Sequence, residues 1–109
     1  GRAARLARYS ANARALYRGL RELGLTPYLA ESEQGPIVVT FRQPEGLDFH
    51  GFVRGLKARG VNISYYYTTE APTFRVGAIG DVREPDMARA VREIGAVLEA
   101  MGALKRAAA

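Results

Sequence analysis

Leu6, Tyr9, Ala13, Leu16, Tyr17, Leu20 and Leu23 recur at steps of three and four, the apolar stripe of an amphipathic helix over residues 2–23. Arg5, Arg8, Arg14, Arg18 and Arg21 lie mostly off that stripe, and Gly24 follows it where a C-terminal cap belongs. The period then changes. Residues 27–30 read as a short strand and 37–42, with β-branched and aromatic side chains, as a stronger one. Glu33, Gln34, Gly35 and Pro36 between them have hairpin-loop chemistry. After a break at Pro44, Glu45 and Gly46, Asp48 is placed to cap a second helix running to residue 59. Its apolar stripe is Phe49, Phe52, Val53 and Leu56, and Gly60 stops it. Residues 61–67 and 73–78 are predicted as a third and a fourth strand, joined by a turn over 68–72. Pro85 suits the first turn of a last helix. Met87, Ala90, Val91, Ile94, Val97, Leu98 and Met101 form that helix's apolar face, and Gly102 ends it before a frayed tail from Lys105.

The order α-β-β-α-β-β-α predicts an α+β fold, a two-layer α/β sandwich of about four mainly antiparallel strands with helices on one face. There is no internal repeat and no long linker, so residues 1–109 are read as one domain. Alternation along the strands then divides the sheet. Phe74 and Val76 share one face with Val39 and Phe41, which the helices should cover. Thr73, Arg75 and Gly77 share the other with Thr40 and Arg42; in the third strand Tyr65 opposes Ser64 and Tyr66. This second face is either solvated, as in many antiparallel sheets, or docked on something else with Arg75 presented to a ligand. A guanidinium on a strand is suited to the latter, because it grips a carboxylate through two parallel hydrogen bonds and the strand fixes its position.

Composition adds exclusions. With 48% hydrophobic and 25% charged residues the chain is an ordinary globular one. It has no cysteine, which rules out disulfides, thiolate metal sites and a cysteine nucleophile. No apolar run approaches the ~20 residues of a membrane span, and the Arg/Ala-rich start lacks the apolar core of a secretory signal. The expected location is cytoplasmic. The formal charge of +5 raises the prospect of a polyanionic partner, but the arginines are spread along helices and Glu31, Glu33, Glu45 and Asp48 interrupt them.

The stretch Thr73-Phe74-Arg75-Val76-Gly77-Ala78-Ile79-Gly80 resembles the Thr-Phe-Arg-Ile-Gly-x-Ile-Gly segment of 2-aminoethylphosphonate–pyruvate transaminases. Arg8-Tyr9 with Asn12, Pro36-Ile37-Val38-Val39-Thr40-Phe41, Leu47-Asp48-Phe49 with Phe52, Leu56-Lys57-Ala58-Arg59-Gly60, and the run from Met87 to Gly102 are similar to the same family in the same order. The resemblance implies the C-terminal small domain of a fold-type I, class V-like aminotransferase that depends on pyridoxal phosphate (PLP). It implies that Arg75 binds the substrate carboxylate, with Tyr66, Thr73 and Gly77 as candidate site-lining residues. It also implies a large domain of the same enzyme as partner, a homodimeric parent, and pyruvate or another small carboxylate as ligand. The sequence departs from the family at Ser64-Tyr65-Tyr66-Tyr67, where a Tyr-Pro-Gly-Lys-like stretch is usual, and at Pro72, where Asp is common.

Transamination needs a lysine for the Schiff base and a cup for the cofactor phosphate. The lysines here are Lys57, on the solvent side of the second helix, and Lys105 in the tail; no Gly-rich loop precedes a helix. The lone histidine, His50, is expected to be an exposed residue at a helix start. The chain is therefore expected to bind no cofactor and no metal by itself and to supply no catalytic residue. In the resembled enzymes PLP belongs to the large domain. Two other readings stay open: a non-enzymatic, self-associating or protein-binding module, and, with less support, a nucleic-acid-binding domain using an aromatic strand as a stacking platform.

Overall fold

The computed structural model describes residues 1–31, 38–61, 64–67, 72–77 and 83–104. The elements follow in the order α1 (Arg2–Glu22), β1 (Val38–Arg42), α2 (Phe49–Ala58), β2 (Ser64–Tyr67), β3 (Pro72–Gly77) and α3 (Glu84–Ala100). The fold is α+β, as expected. The hairpin loop at Glu33–Pro36, Ile37, the 68–71 turn, Gly80 and the tail from Lys105 lie outside the described residues.

The three described helices share one way of ending. Gly24, Gly60 and Gly102 each have positive φ, of 96°, 80° and 69°. The residue after each glycine donates its N–H to the carbonyl five residues back: Leu25 to Leu20, Val61 to Leu56 and Ala103 to Leu98, at 3.2, 2.9 and 2.9 Å. The glycine N–H bonds the intervening turn, and an apolar pair closes each motif. This corrects the expected start of the third strand. Val61 is the anchor that seals the end of α2, and the described strand begins at Ser64. Asp48 caps α2 by accepting from the Gly51 N–H at 3.2 Å. At the head of α3 the Arg83 N–H donates to Asp86 at 2.8 Å, with Pro85 in the first turn.

The strands form an antiparallel sheet in the order β1-β3-β2. β1 and β2 flank β3 and are joined through α2, a split β-α-β arrangement with β3 in the slot. The predicted short strand at 27–30 is reduced to one antiparallel bridge, Pro27 to Phe41. Around it Tyr28 N–H donates to Thr40 O at 3.0 Å and Arg42 N–H to Thr26 O at 2.8 Å. Pro27 thus sits at a non-hydrogen-bonded position on the sheet edge, where its missing N–H costs nothing.

Val39, Phe41, Phe74 and Val76 are buried with the helical residues Leu16, Leu20, Phe52, Leu56, Ile94 and Leu98 in one core. A chain of rings runs through it: Tyr17 to Phe41 at 5.5 Å, Phe41 to Phe74 at 6.4 Å, Phe74 to Phe52 at 5.6 Å and Phe52 to Phe49 at 6.1 Å. It links α1, β1, β3 and α2 through ring contacts that add to area burial. Leu6 is an exception to the predicted stripe. It is 51% exposed, and residues 1–7 are all exposed, because the first turns of α1 extend past the core.

Candidate functional site: the open face of the sheet

β3 carries the site because it is central and its alternate residues are pinned. Phe74 and Val76 are 0% and 3% exposed, so their burial turns Arg75 and Gly77 to the opposite face, where both are exposed. Arg75 is thereby aimed away from the helices, as alternation predicts. Its register partners are Thr40 on β1 and Ser64 on β2. A Cβ placed on Gly77 would meet nothing within 4 Å, so that position opens onto free space.

The other candidates fall in the adjoining row. Arg42, Thr73 and Tyr66 are cross-strand partners, which places position 66 on the face of Arg75; the Tyr66 side chain lies outside the described atoms. Thr73 is wholly buried. It helps to form the floor of the face, whereas Arg75 and Gly77 reach its surface.

Gln43 is a residue that strand patterning gave no reason to notice. Its N–H donates to Pro72 O at 3.1 Å and its side-chain amide to Thr73 O at 3.0 Å. One residue past the end of β1 thus clamps two successive carbonyls at the start of the Arg75 strand. The only foretelling signal is an amide side chain directly after a strand.

Arg42 and Arg75 give this face two exposed guanidinium groups. Among the described residues no group of three or more His, Asp or Glu side chains could hold a metal ion. His50 and Lys57 are exposed on α2, in the helical layer. Lys57 is exposed and is not on the face of Arg75, and Lys105 lies outside the described residues, so the described residues do not fit PLP. Away from the sheet, Glu93 accepts from Arg59 at 2.7 Å. That hydrogen bond, with the charges of Arg59, Arg89 and Arg92, outweighs desolvation and holds the Glu93 carboxyl below its ordinary range. It ties α3 to the end of α2 and is remote in sequence from β3.

The fold so described recurs as a part of larger aminotransferases. It superposes on part of a ureidoglycine–glyoxylate aminotransferase from Bacillus subtilis with a TM-score of 0.80, covering 92% of this chain and 27% of that one at 24% identity. An alanine–glyoxylate aminotransferase from Nostoc gives 0.74, with 84% and 25% covered at 22% identity. The fold is that of an aminotransferase C-terminal region. In sequence the chain is 39% identical, over its whole length, to a 2-aminoethylphosphonate–pyruvate transaminase of Burkholderia ambifaria, and covers 30% of it. The corresponding enzyme of Burkholderia lata is 43% identical over 94% of the chain and 28% of that protein. No family model matches. The relatives that cover this chain are 2-aminoethylphosphonate–pyruvate transaminases, and its structural neighbours are aminotransferases. It spans less than a third of the length of those relatives.

No described helix is long and apolar enough to cross a membrane.

Proposed function

We propose that this chain is the small domain of a PLP-dependent transaminase whose parent reaction converts 2-aminoethylphosphonate and pyruvate to phosphonoacetaldehyde and alanine. It supplies Arg75 as the anchor for the substrate's acid group and part of the lid that closes over the site. It is not catalytic alone. Its partner is the large domain of the same enzyme, in a homodimeric parent, and that domain holds PLP, which carries the amino group from donor to keto acid.

The observation that carries this reading is the position of Arg75: exposed, on the central strand, on the face opposite the helices, with Phe74 and Val76 locked in the core on either side. A bidentate guanidinium held this way orients a carboxylate as well as attracting it. The exposed first turns of α1, with Leu6 half exposed, support a surface that the rest of the enzyme covers.

The test is Arg75→Ala in the full-length enzyme. Removing one partner of a buried charged pair costs about 2–5 kcal/mol, so kcat/KM for pyruvate should fall by an amount in that range. Unchanged kinetics with pyruvate would refute the assignment. The self-associating alternative predicts instead that the chain of 109 residues forms oligomers by itself, which sedimentation over a wide concentration range decides.

A further inference from the structure

The register of the sheet puts a second arginine beside Arg75. Arg42 pairs with Thr73 and Thr40 with Arg75, so Arg42 and Arg75 are diagonal neighbours on the face turned from the core. Diagonal positions lie about 7–8 Å apart, within reach of long side chains. The Arg42 guanidinium stands 5.6 Å from the centroid of the Tyr28 ring. The bridge at Pro27 and Phe41 pairs Tyr28 with Thr40, so ring and guanidinium share the face of Arg75. Stacking on a ring orients a guanidinium while leaving its in-plane N–H donors able to bind an oxyanion. Both arginines are exposed, whereas Thr40 and Thr73 between them are buried. Arg42 and Thr26 also line a recess of about 310 Å³ that they share with Gln43, Glu45 and, from the ends of α1 and α3, Leu25 and Leu104.

The geometry points to Arg42 as a specificity-determining residue that joins Arg75 in a two-guanidinium clamp selecting a doubly charged phosphonate over a carboxylate. A phosphonate, like a phosphate ester, carries up to two negative charges and three acceptor oxygens, against one charge and two oxygens for a carboxylate. One bidentate arginine engages both oxygens of a carboxylate and matches its single charge. A second guanidinium finds further charge and a further oxygen only on the phosphonate, so Arg42 adds to the binding of one class and little to the other. This inference rests on the proposed transaminase role of the face, and it assigns the choice of amino donor to a residue outside the Thr-Phe-Arg stretch.

The experiment compares 2-aminoethylphosphonate with its carboxylate counterpart β-alanine as donors to the full-length enzyme, in the wild type, Arg42→Gln, Arg42→Lys and Arg75→Gln. Arg42→Gln should lower the ratio of kcat/KM, phosphonate over carboxylate, by about 10- to 100-fold, the worth of hydrogen bonds to a charged group. Arg42→Lys should restore part of it, keeping charge without the planar fork. An unchanged ratio, or equal losses on both donors, overturns the proposal. Arg75→Gln separates the two readings: full activity in that variant sinks the role of the face, whatever Arg42 does. Should neither donor react, titrating the 109-residue chain with methylphosphonate and acetate decides by amide NMR shifts at Thr40 and Arg75. Methylphosphonate binding that Arg42→Gln weakens supports the clamp, and equal response to both anions overturns it.

Discussion

Replacing Gly19 with alanine measures how closely α1 and α3 approach. A Cβ at Gly19 would lie 2.7 Å from Val91 Cγ2, 3.1 Å from its Cγ1 and 3.4 Å from its Cβ. Non-bonded carbons are best separated by about 3.5–4.0 Å, so the nearest contact is short by about 1 Å. Val91 cannot turn away. It is β-branched within a helix, where one χ1 rotamer dominates, and rotation exchanges one close methyl for the other. The helices must move apart. Overpacking of this kind costs about 1–3 kcal/mol, offset by the roughly 0.5–1 kcal/mol that alanine gains over glycine inside a helix. The net expectation is a loss of about 1 kcal/mol, a fall in Tm of about 4–8 °C for a domain of this size. Thermal and urea unfolding of the 109-residue chain measure it. Val91→Ala removes both offending methyls, so the double variant should be more stable than the two single losses sum to, by about 1 kcal/mol or more. A stabilised Gly19→Ala, or zero coupling with Val91, would show that propensity outweighs contact and refute the close approach. Gly95 tests the same helix pair from the other side, its Cβ falling 2.9 Å from Leu23 Cδ2.

Phe52→Ala should cost about 3–5 kcal/mol in urea unfolding, because it empties a fully buried position and removes the ring between Phe49 and Phe74; a loss below about 1.5 kcal/mol would contradict the ring chain. Glu93 has a folded pKa below its ordinary 4.5, so its stabilising effect is present above that pH and is lost as pH falls through the folded value. The difference in Tm between the wild type and Glu93→Gln should therefore exist near neutrality and close on acidification, and a gap independent of pH would count against the Arg59 contact. Arg75→Ala and Arg42→Gln, with the kinetic outcomes given above, test the site itself.

Local chemistry was enough for the helices. An apolar stripe fixes which side of a helix is buried, and a glycine after it marks the end, so Gly24, Gly60 and Gly102 could be placed from the sequence and each has the positive φ that favours glycine. Alternation likewise placed Arg75 on the face opposite Phe74 and Val76. Periodicity says which side faces inward, but it does not say where the interior stops. Leu6 lies on the predicted stripe and is half exposed because its turn of α1 projects past the core. Partnership between strands is also silent in the sequence, since register belongs to a pair of segments. Only the tertiary structure put β3 between β1 and β2, reduced the expected strand at 27–30 to the single bridge at Pro27, and set Gln43 across two carbonyls of β3. The same is true of Arg42. In sequence it lies 33 residues before Arg75; antiparallel pairing makes the two diagonal neighbours on one face. The sequence determined by itself that an arginine would stand on this surface, because side-chain alternation is a local property of a strand. Tertiary structure decided that it stands next to a second one, because proximity across a sheet follows from how the chain folds back.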